Sequence, residues 1–157
     1  MMKYLSLLIW LWLPLSGQAQ TDLSWLGPAD LMDSLRQAPK PVLVYLGADW
    51  CQYCGMMEAS TFQDTTVVRK LTEDFYPVYW DVESQDAVSF LGRTYRYLPT
   101  GPRNGYHELT AFLGGKHPDQ SYPLFLLFDE EMEWVDRHSG FLSSEAFIPF
   151  IQQTAKP

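Results

Sequence analysis

Cys51 and Cys54 are the only two cysteines of the chain, and they stand in the motif Cys-Gln-Tyr-Cys. If the first of them begins a helix, the unpaired N–H groups and the helix dipole favour its thiolate form. A thiolate attacks a disulfide, and a second thiol one helical turn further along is near enough to resolve the mixed disulfide. The spacing therefore predicts thiol–disulfide exchange, with Cys51 as the nucleophile and Cys54 as the resolving residue.

Other uses of this cysteine pair are weaker interpretations of the same pattern. A disulfide between them would close a loop too short to restrain the unfolded chain much. A zinc site would need two of His107, His117 and His138, which are widely spaced and form no ligand pair. Met56 and Met57 follow the motif, and soft sulfur ligands select Cu(I). Methionines of an amphipathic helix are usually core residues, so we expect no metal ligands and keep copper as an alternative.

The residues around the cysteines set the direction of the expected exchange. Trp50 would shield one side of the pair and offer an apolar docking surface. Gln52 and Tyr53 bring no positive charge, while Asp49 and Glu58 bring negative charge. We expect only moderate acidification of the nucleophilic thiol, which favours a reductant over a strong oxidant.

The elements that must position the motif are predicted from its flanks. Residues 42–46 form a continuous apolar run with β-branched side chains, typical of a strand buried on both faces. A helix is expected over about 51–60. Asp64 can cap a second helix through 71, and residues 75–82 form another strand.

The second half of the chain predicts a less regular region followed by a hairpin and a helix. Short helices are expected near 87–91 and 109–113, separated by a stretch rich in breakers and aromatic residues. Strands at 123–128 and 133–138 follow, the latter at a sheet edge, and Ser143 or Ser144 caps the last helix. This order predicts an α/β fold with a central mixed sheet and helices on both faces.

Size and charge limit the function further. The 157 residues (18.1 kDa) suit one domain. With 11 lysines and arginines against 19 acidic residues, the net charge is −8, which argues against nucleic acid as a partner.

The start of the chain has the pattern of a secretory signal peptide. Residues 1–19 hold one early lysine, an apolar run and small residues before a cleavage site after Ala19. An uncleaved anchor is the alternative, but the run of about 12 residues is short of the ~20 that span a bilayer. We expect a mature domain over 20–157 in the periplasm or secreted.

The motif in its context resembles the thioredoxin superfamily, and in particular the exported thiol:disulfide interchange domains. The resemblance is carried by Ala48-Asp49-Trp50-Cys51-Gln52-Tyr53-Cys54-Gly55-Met56-Met57-Glu58 and by Thr61-Phe62-Gln63-Asp64. It implies a thioredoxin fold. It also implies that Pro123 is the family's cis proline opposite the cysteines, and that Tyr122 presents its backbone to a substrate chain.

Three departures from the family pattern qualify this resemblance. Thioredoxin proper carries a buried acid six residues before the first cysteine, where this chain has Tyr45, and Asp49 or Glu58 could replace it only in part. Leu124 follows the proline where the family usually has threonine. Residues 92–108 form a longer loop, which is the most basic stretch of the chain. A partner-recognition surface and a plain variable loop are both open interpretations of it.

The sequence thus predicts an exported protein-disulfide reductase that needs no metal or organic cofactor. Its partners would be protein thiol or disulfide clients, with a membrane electron-transporting thiol protein as the source of electrons. A client-binding or chaperone module of thioredoxin fold, with a minor redox role, and a copper metallochaperone are the alternatives.

Overall fold

The computed structural model describes residues 23–115 and 121–154, and the predicted signal peptide and His117 lie outside them. The helices of the described residues are α1 (Leu31–Gln37), α2 (Gln52–Ala59), α3 (Thr65–Asp74), α4 (Glu108–Gly114) and α5 (Ser144–Ile151). The strands are β1 (Val42–Gly47), β2 (Tyr76–Asp81), β3 (Val88–Phe90), β4 (Arg93–Tyr95), β5 (Tyr97–Pro99), β6 (Gly105–His107), β7 (Leu124–Phe128) and β8 (Trp134–Ser139).

A four-stranded mixed sheet in the order β2-β1-β7-β8 lies at the centre of the fold. β1 pairs in parallel with β2 and antiparallel with β7, and β7 pairs antiparallel with β8. The predicted α/β architecture is confirmed, as is the position of residues 133–138 at a sheet edge.

Alternate residues of β1 point to opposite faces of the sheet, and both faces are covered. Leu43 and Tyr45 belong to a buried cluster with side chains of α2, α3 and α5. Val42, Val44 and Leu46 belong to a second buried cluster with side chains of α1 and α4. The apolar run at 42–46 is therefore buried on both faces, as predicted.

The predicted helix caps are confirmed at two positions. Asp64 caps α3, because its carboxylate accepts hydrogen bonds from the N–H groups of Thr66 and Val67 at 2.9 and 3.1 Å. Ser143 caps α5 by accepting from the N–H group of Ala146. Pro149 lies inside α5, which ends two residues later and continues as a 3₁₀ turn.

The prediction of a short helix near 87–91 was wrong. Residues 88–90 form β3, which pairs with β4 in a two-stranded hairpin. Leu91 and Gly92, with φ of 49° and 76°, make the turn, and two successive positive φ angles match the twist of a tight hairpin. The predicted helix at 109–113 is confirmed as α4.

The segment predicted as a longer loop at 92–108 is built from short strands. It contains β4 and a second two-stranded hairpin, in which β5 pairs antiparallel with β6.

Within residues 23–115 and 121–154, no helix has the length and apolar character needed to cross a bilayer.

Candidate active site

Cys51 and Cys54 form a disulfide at the N-terminus of α2, with their Cα atoms 5.2 Å apart. β1 ends at Gly47, and a turn follows in which the Cys51 N–H donates to the Ala48 carbonyl at 3.0 Å. Cys51 takes the N-cap position, and its Sγ accepts a hydrogen bond from the Cys54 N–H at 3.1 Å. This is the geometry in which a Cys51 thiolate would be stabilised by the helix N-terminus.

The two sulfur-bearing residues differ in access to solvent. Cys51 is 7% exposed and Cys54 is 2% exposed, and both belong to the buried cluster on the Tyr45 face of the sheet. An incoming disulfide would reach Cys51 more readily than Cys54. The attacking role of Cys51 and the resolving role of Cys54 stay predictions.

The Tyr122–Pro123 peptide bond is cis, a point that the sequence left open. The Trp50 and Tyr122 rings are in edge-to-face contact, with centroids 6.1 Å apart. Burial raises the pKa of the Tyr122 hydroxyl. The structure therefore brings together two residues, from the cysteine loop and the proline loop, that lie more than seventy positions apart in the sequence.

Exposed side chains surround the disulfide. Trp50 is 63% exposed and Tyr53 is 54% exposed, and Gln52 also faces solvent. Met56 is exposed beside them, although the sequence prediction treated it as a core residue. Large apolar side chains that face solvent at a reactive disulfide offer a docking surface for a polypeptide.

Tyr45 lies behind the cysteines, in the place where thioredoxin has its acid. Its ring packs against four aromatic neighbours, with centroid separations of 5.1 to 5.5 Å, which are Trp25, Phe62, Tyr79 and Phe125. Its hydroxyl is buried, and although the Glu58 side chain lies near it, the hydroxyl makes no hydrogen bond of good geometry with any described residue. A Cβ at Gly47 would lie 3.0 Å from this hydroxyl, so the glycine makes room for the tyrosine.

A carboxylate cluster lies beside this aromatic group. The pKa of Tyr45 is raised by burial first, then by the negative charge of Glu58, by Tyr79 and by an interaction of the hydroxyl with the Glu58 side chain. The pKa of Tyr79 is raised to about 12 by burial, Asp81, Glu58 and Asp49, in that order. Sequence reasoning missed Tyr79, although a parallel pairing of the two strands would place it next to Tyr45.

Two of the side chains considered as metal ligands, Met57 and His107, are engaged in hydrogen bonds inside the protein. Met57 is fully buried, and its sulfur accepts a hydrogen bond from the Leu142 N–H at 3.3 Å. His107 is buried, with Nδ1 accepting from the Leu109 N–H at 3.1 Å and Nε2 bonded to the Asp86 carbonyl at 3.0 Å. In the described part of the chain, no three His, Cys, Asp or Glu side chains are grouped as metal ligands.

Comparison with known families agrees with this geometry. The family model described as thioredoxin-like matches residues 25–129, which is more than half of the chain. The chain belongs to the thioredoxin-like family. Both cysteines and the aromatic residues behind them lie inside the matched range.

Two curated relatives match shorter parts of this thioredoxin-like chain. Spermatogenesis-associated protein 20 of Homo sapiens is 33% identical over 94 residues, covering 56% of this chain and 12% of that protein. Thiol:disulfide interchange protein DsbD of Pectobacterium atrosepticum is 40% identical over 65 residues, covering 38% of this chain and 11% of that protein. The chain thus spans only about a ninth of the length of either relative.

Solved structures share the thioredoxin fold with this chain. A thioredoxin from Thermus thermophilus superposes with a TM-score of 0.61 at 21% identity, covering 84% of this chain and 86% of that one. A DsbH oxidoreductase gives 0.59 at 16% identity, covering 87% and 86%. The reduced C-terminal domain of DsbD from Neisseria meningitidis gives 0.51 at 19% identity, covering 83% and 100%.

Proposed function

We propose that this protein is an exported thiol–disulfide oxidoreductase that reduces disulfides in protein clients. The observation that carries the proposal is the Cys51–Cys54 disulfide at the start of α2, with the Cys51 sulfur accepting a backbone N–H. The similarity to a thiol:disulfide interchange protein supports the same chemistry. Export rests on the signal-peptide pattern of residues 1–19.

The reaction begins with both cysteines in the thiol form. The Cys51 thiolate attacks one sulfur of a client disulfide, a new S–S bond forms, and the other client sulfur leaves as a thiolate. The Cys54 thiolate then attacks the Cys51 sulfur and releases the second client thiolate. Two electrons pass to the client, and the chain ends as the Cys51–Cys54 disulfide seen in the structure.

Resolution requires that the Cys54 thiol lose its proton. Thioredoxin's acid is replaced by Tyr45, whose raised pKa makes it a poor base at neutral pH. Glu58 follows Cys54 by four residues in α2, so the two side chains share one side of the helix. We assign Glu58 as the group that takes the Cys54 proton.

The surrounding charge supports a reducing role. Strongly oxidising pairs have a reduced form that is stabilised, which requires a stable thiolate. Here the helix N-terminus favours the thiolate, but no Lys or Arg lies within six residues of Cys51 and Asp49 and Glu58 oppose it. The reduced form is then only moderately stabilised. Regeneration would draw two electrons from a membrane electron-transporting thiol protein.

Trapping of the mixed disulfide tests the proposal. In a Cys54→Ser variant, the bond between Cys51 and a client is not resolved and survives non-reducing electrophoresis. The wild type should reduce insulin disulfides with dithiothreitol as electron donor, and Cys51→Ser should abolish this activity. Insulin reduction that is unchanged in Cys51→Ser would contradict the assignment of the nucleophile.

The exposed Trp50, Tyr53 and Met56 favour a second function, which is client binding with a minor redox role. This function predicts that Cys51→Ser still suppresses the aggregation of an unfolded client, whereas Trp50→Ala loses the effect. The redox function predicts loss of activity in Cys51→Ser. Measuring aggregation and insulin reduction on both variants separates the two functions.

A further inference from the structure

The two hairpins of residues 88–107 hold an exposed surface that the redox reaction does not use. They pack on the face of the sheet opposite to α2, where Phe90, Tyr95 and Trp80 share one buried cluster. The His107 ring contacts the Trp80 ring, with centroids 4.7 Å apart and the planes tilted by 57°, and the His107 side chain caps α4. The segment is therefore anchored to the rest of the protein through its inner side.

The outer side of the second hairpin presents apolar side chains. Tyr97 pairs with His107, and that pair is directed toward the protein, whereas the adjacent pair of Leu98 and Tyr106 is exposed. Residues directly opposite in an antiparallel pair share a face. Leu98 and Tyr106 thus form an apolar pair that faces solvent.

Close packing fixes the backbone beneath this pair. A Cβ at Gly105 would collide with the Tyr97 ring and with the Leu98 carbonyl. Only glycine fits there, so the ring of Tyr97 lies against the opposite strand. The two strands of the hairpin are therefore in close contact at this point.

Positive charge accompanies the apolar pair. Residues 88–107 contain Arg93, Arg96 and Arg103 and no acidic residue, whereas the other eight lysines and arginines face 19 acids, which leaves the rest of the chain at −11. All three arginines are exposed, and none forms an ion pair with another described residue. Arg93 lies 4.9 Å from the Tyr95 ring, which contacts the exposed Phe112 at 5.3 Å.

We propose that this hairpin surface, defined by Arg93, Arg96, Arg103, Leu98, Tyr106 and Phe112, docks an acidic polypeptide segment that also carries apolar side chains. The arginines supply charge complementarity, and Leu98, Tyr106 and Phe112 supply the apolar contact. Aromatic residues and arginine are the residue types enriched where protein interfaces carry their binding energy. The proposal is independent of the redox function.

Charge also distinguishes a polypeptide from an anionic membrane. A bilayer presents a broad plane, which would also meet acidic side chains next to the arginines, such as Glu108, whose carboxylate accepts a hydrogen bond from the Arg96 backbone N–H. A narrow peptide segment can instead contact the three arginines and the apolar side chains of Leu98, Tyr106 and Phe112 alone. The surface therefore fits a polypeptide better than a membrane.

The experiment measures binding of a fluorescent 12-residue peptide in which glutamate alternates with leucine and phenylalanine. Its counterpart has glutamine in place of every glutamate. The full chain, the triple variant R93Q/R96Q/R103Q and the matched control R36Q/R69Q/R137Q are titrated at low salt and at high salt. The control removes the same charge from exposed arginines outside the hairpin surface. The melting temperature of each variant checks that it is folded.

We expect the wild type and the control variant to bind the glutamate peptide in preference to the glutamine peptide. The hairpin variant should bind the glutamate peptide about tenfold more weakly at low salt, because three exposed ion pairs are lost. The difference should fall below about twofold at 1 M salt, where charges are screened within ~3 Å. A Leu98→Ser/Tyr106→Ser variant should weaken both peptides.

Three results would overturn the proposal. The first is equal affinity of the hairpin variant and the wild type for the glutamate peptide. The second is an equal loss in the control variant, which would indicate general charge attraction. The third is sedimentation with phosphatidylglycerol vesicles that the hairpin variant loses while its peptide binding is unchanged. None of these outcomes bears on Cys51, so the redox function is judged separately by insulin reduction.

Discussion

Replacing Tyr45 by phenylalanine should stabilise the protein. The Tyr45 hydroxyl is buried and makes no hydrogen bond of good geometry with any described residue, although the Glu58 side chain lies near it. A buried hydroxyl of this kind costs about 1–3 kcal/mol relative to solvent. Removing it leaves a void of one oxygen atom beside Gly47, which costs on the order of a few tenths of a kcal/mol. The ring contacts with its four aromatic neighbours stay in place.

The net expectation is a gain of about 1–2 kcal/mol in the free energy of unfolding. For a domain of this size, that gain raises the melting temperature by roughly 3–6 °C. Differential scanning calorimetry and urea unfolding of the oxidised protein measure both quantities. Tyr79→Phe is the matched control, since Tyr79 lies in the same cluster and is only half-buried. It should change the stability by less than about 0.5 kcal/mol.

A loss of more than about 1 kcal/mol in Tyr45→Phe would refute this reasoning. It would mean that the hydroxyl makes a favourable interaction, and the negative charge of Glu58 identifies the candidate acceptor. A double-mutant cycle with Glu58→Gln would then measure the coupling directly. A coupling energy near zero would mean that the loss of stability comes from changed packing alone.

Four further predictions follow from individual contacts. Asp64→Ala should lower the free energy of unfolding by about 1 kcal/mol, since two N–H groups of α3 lose their acceptor, and urea unfolding measures it. The free energy of unfolding should fall as pH rises from 10 to about 12. The reason is that tyrosine in the unfolded chain loses its proton near pH 10, while folded Tyr79 keeps its proton to about pH 12. Urea unfolding across this pH range should show a smaller fall in Tyr79→Phe. Glu58→Gln should slow the resolution of a mixed disulfide about tenfold or more, which quenched-flow electrophoresis can follow, without slowing the attack of Cys51, whose thiolate the Glu58 charge opposes. Gly105→Ala should disrupt the β5–β6 hairpin, increase amide exchange there and weaken binding of the glutamate peptide.

The central elements were predictable from the sequence because their signals are strong and local. The apolar run at 42–46 is too continuous for a one-sided strand, and both faces of β1 are indeed covered. Asp64 and Ser143 cap helices through bonds that span two or three residues. The cysteine motif is likewise recognisable from four consecutive positions.

The region after β2 could not be predicted in the same way. A stretch of five residues at 87–91 has no decisive period, and its pairing with β4 depends on a turn at Leu91 and Gly92. Turns with two positive φ angles usually carry asparagine or aspartate before the glycine, and leucine at φ 49° gives no such signal. The hairpins pack on Trp80, and this contact between distant segments is not indicated by any local sequence pattern.

Site features that depend on contacts between distant segments also could not be predicted from local sequence patterns. The isomer of the Tyr122–Pro123 bond is not encoded by the dipeptide, since most such bonds are trans. The proximity of Tyr45 to Tyr79 follows from the register of β1 against β2. Met56 and Met57 look alike in the sequence, yet one is exposed beside the disulfide and the other is fully buried.

The redox site and the hairpin surface are held by opposite faces of one strand. Tyr45 of β1 packs beneath the cysteines, while Val44 and Leu46 belong to the cluster that anchors the hairpins. Because side chains alternate along a strand, a change on one face leaves the contacts of the other largely intact. This arrangement explains how the chain can carry a long insertion after β2 without disturbing the geometry of Cys51. It also means that variants of the hairpin surface and of the cysteines can be interpreted independently.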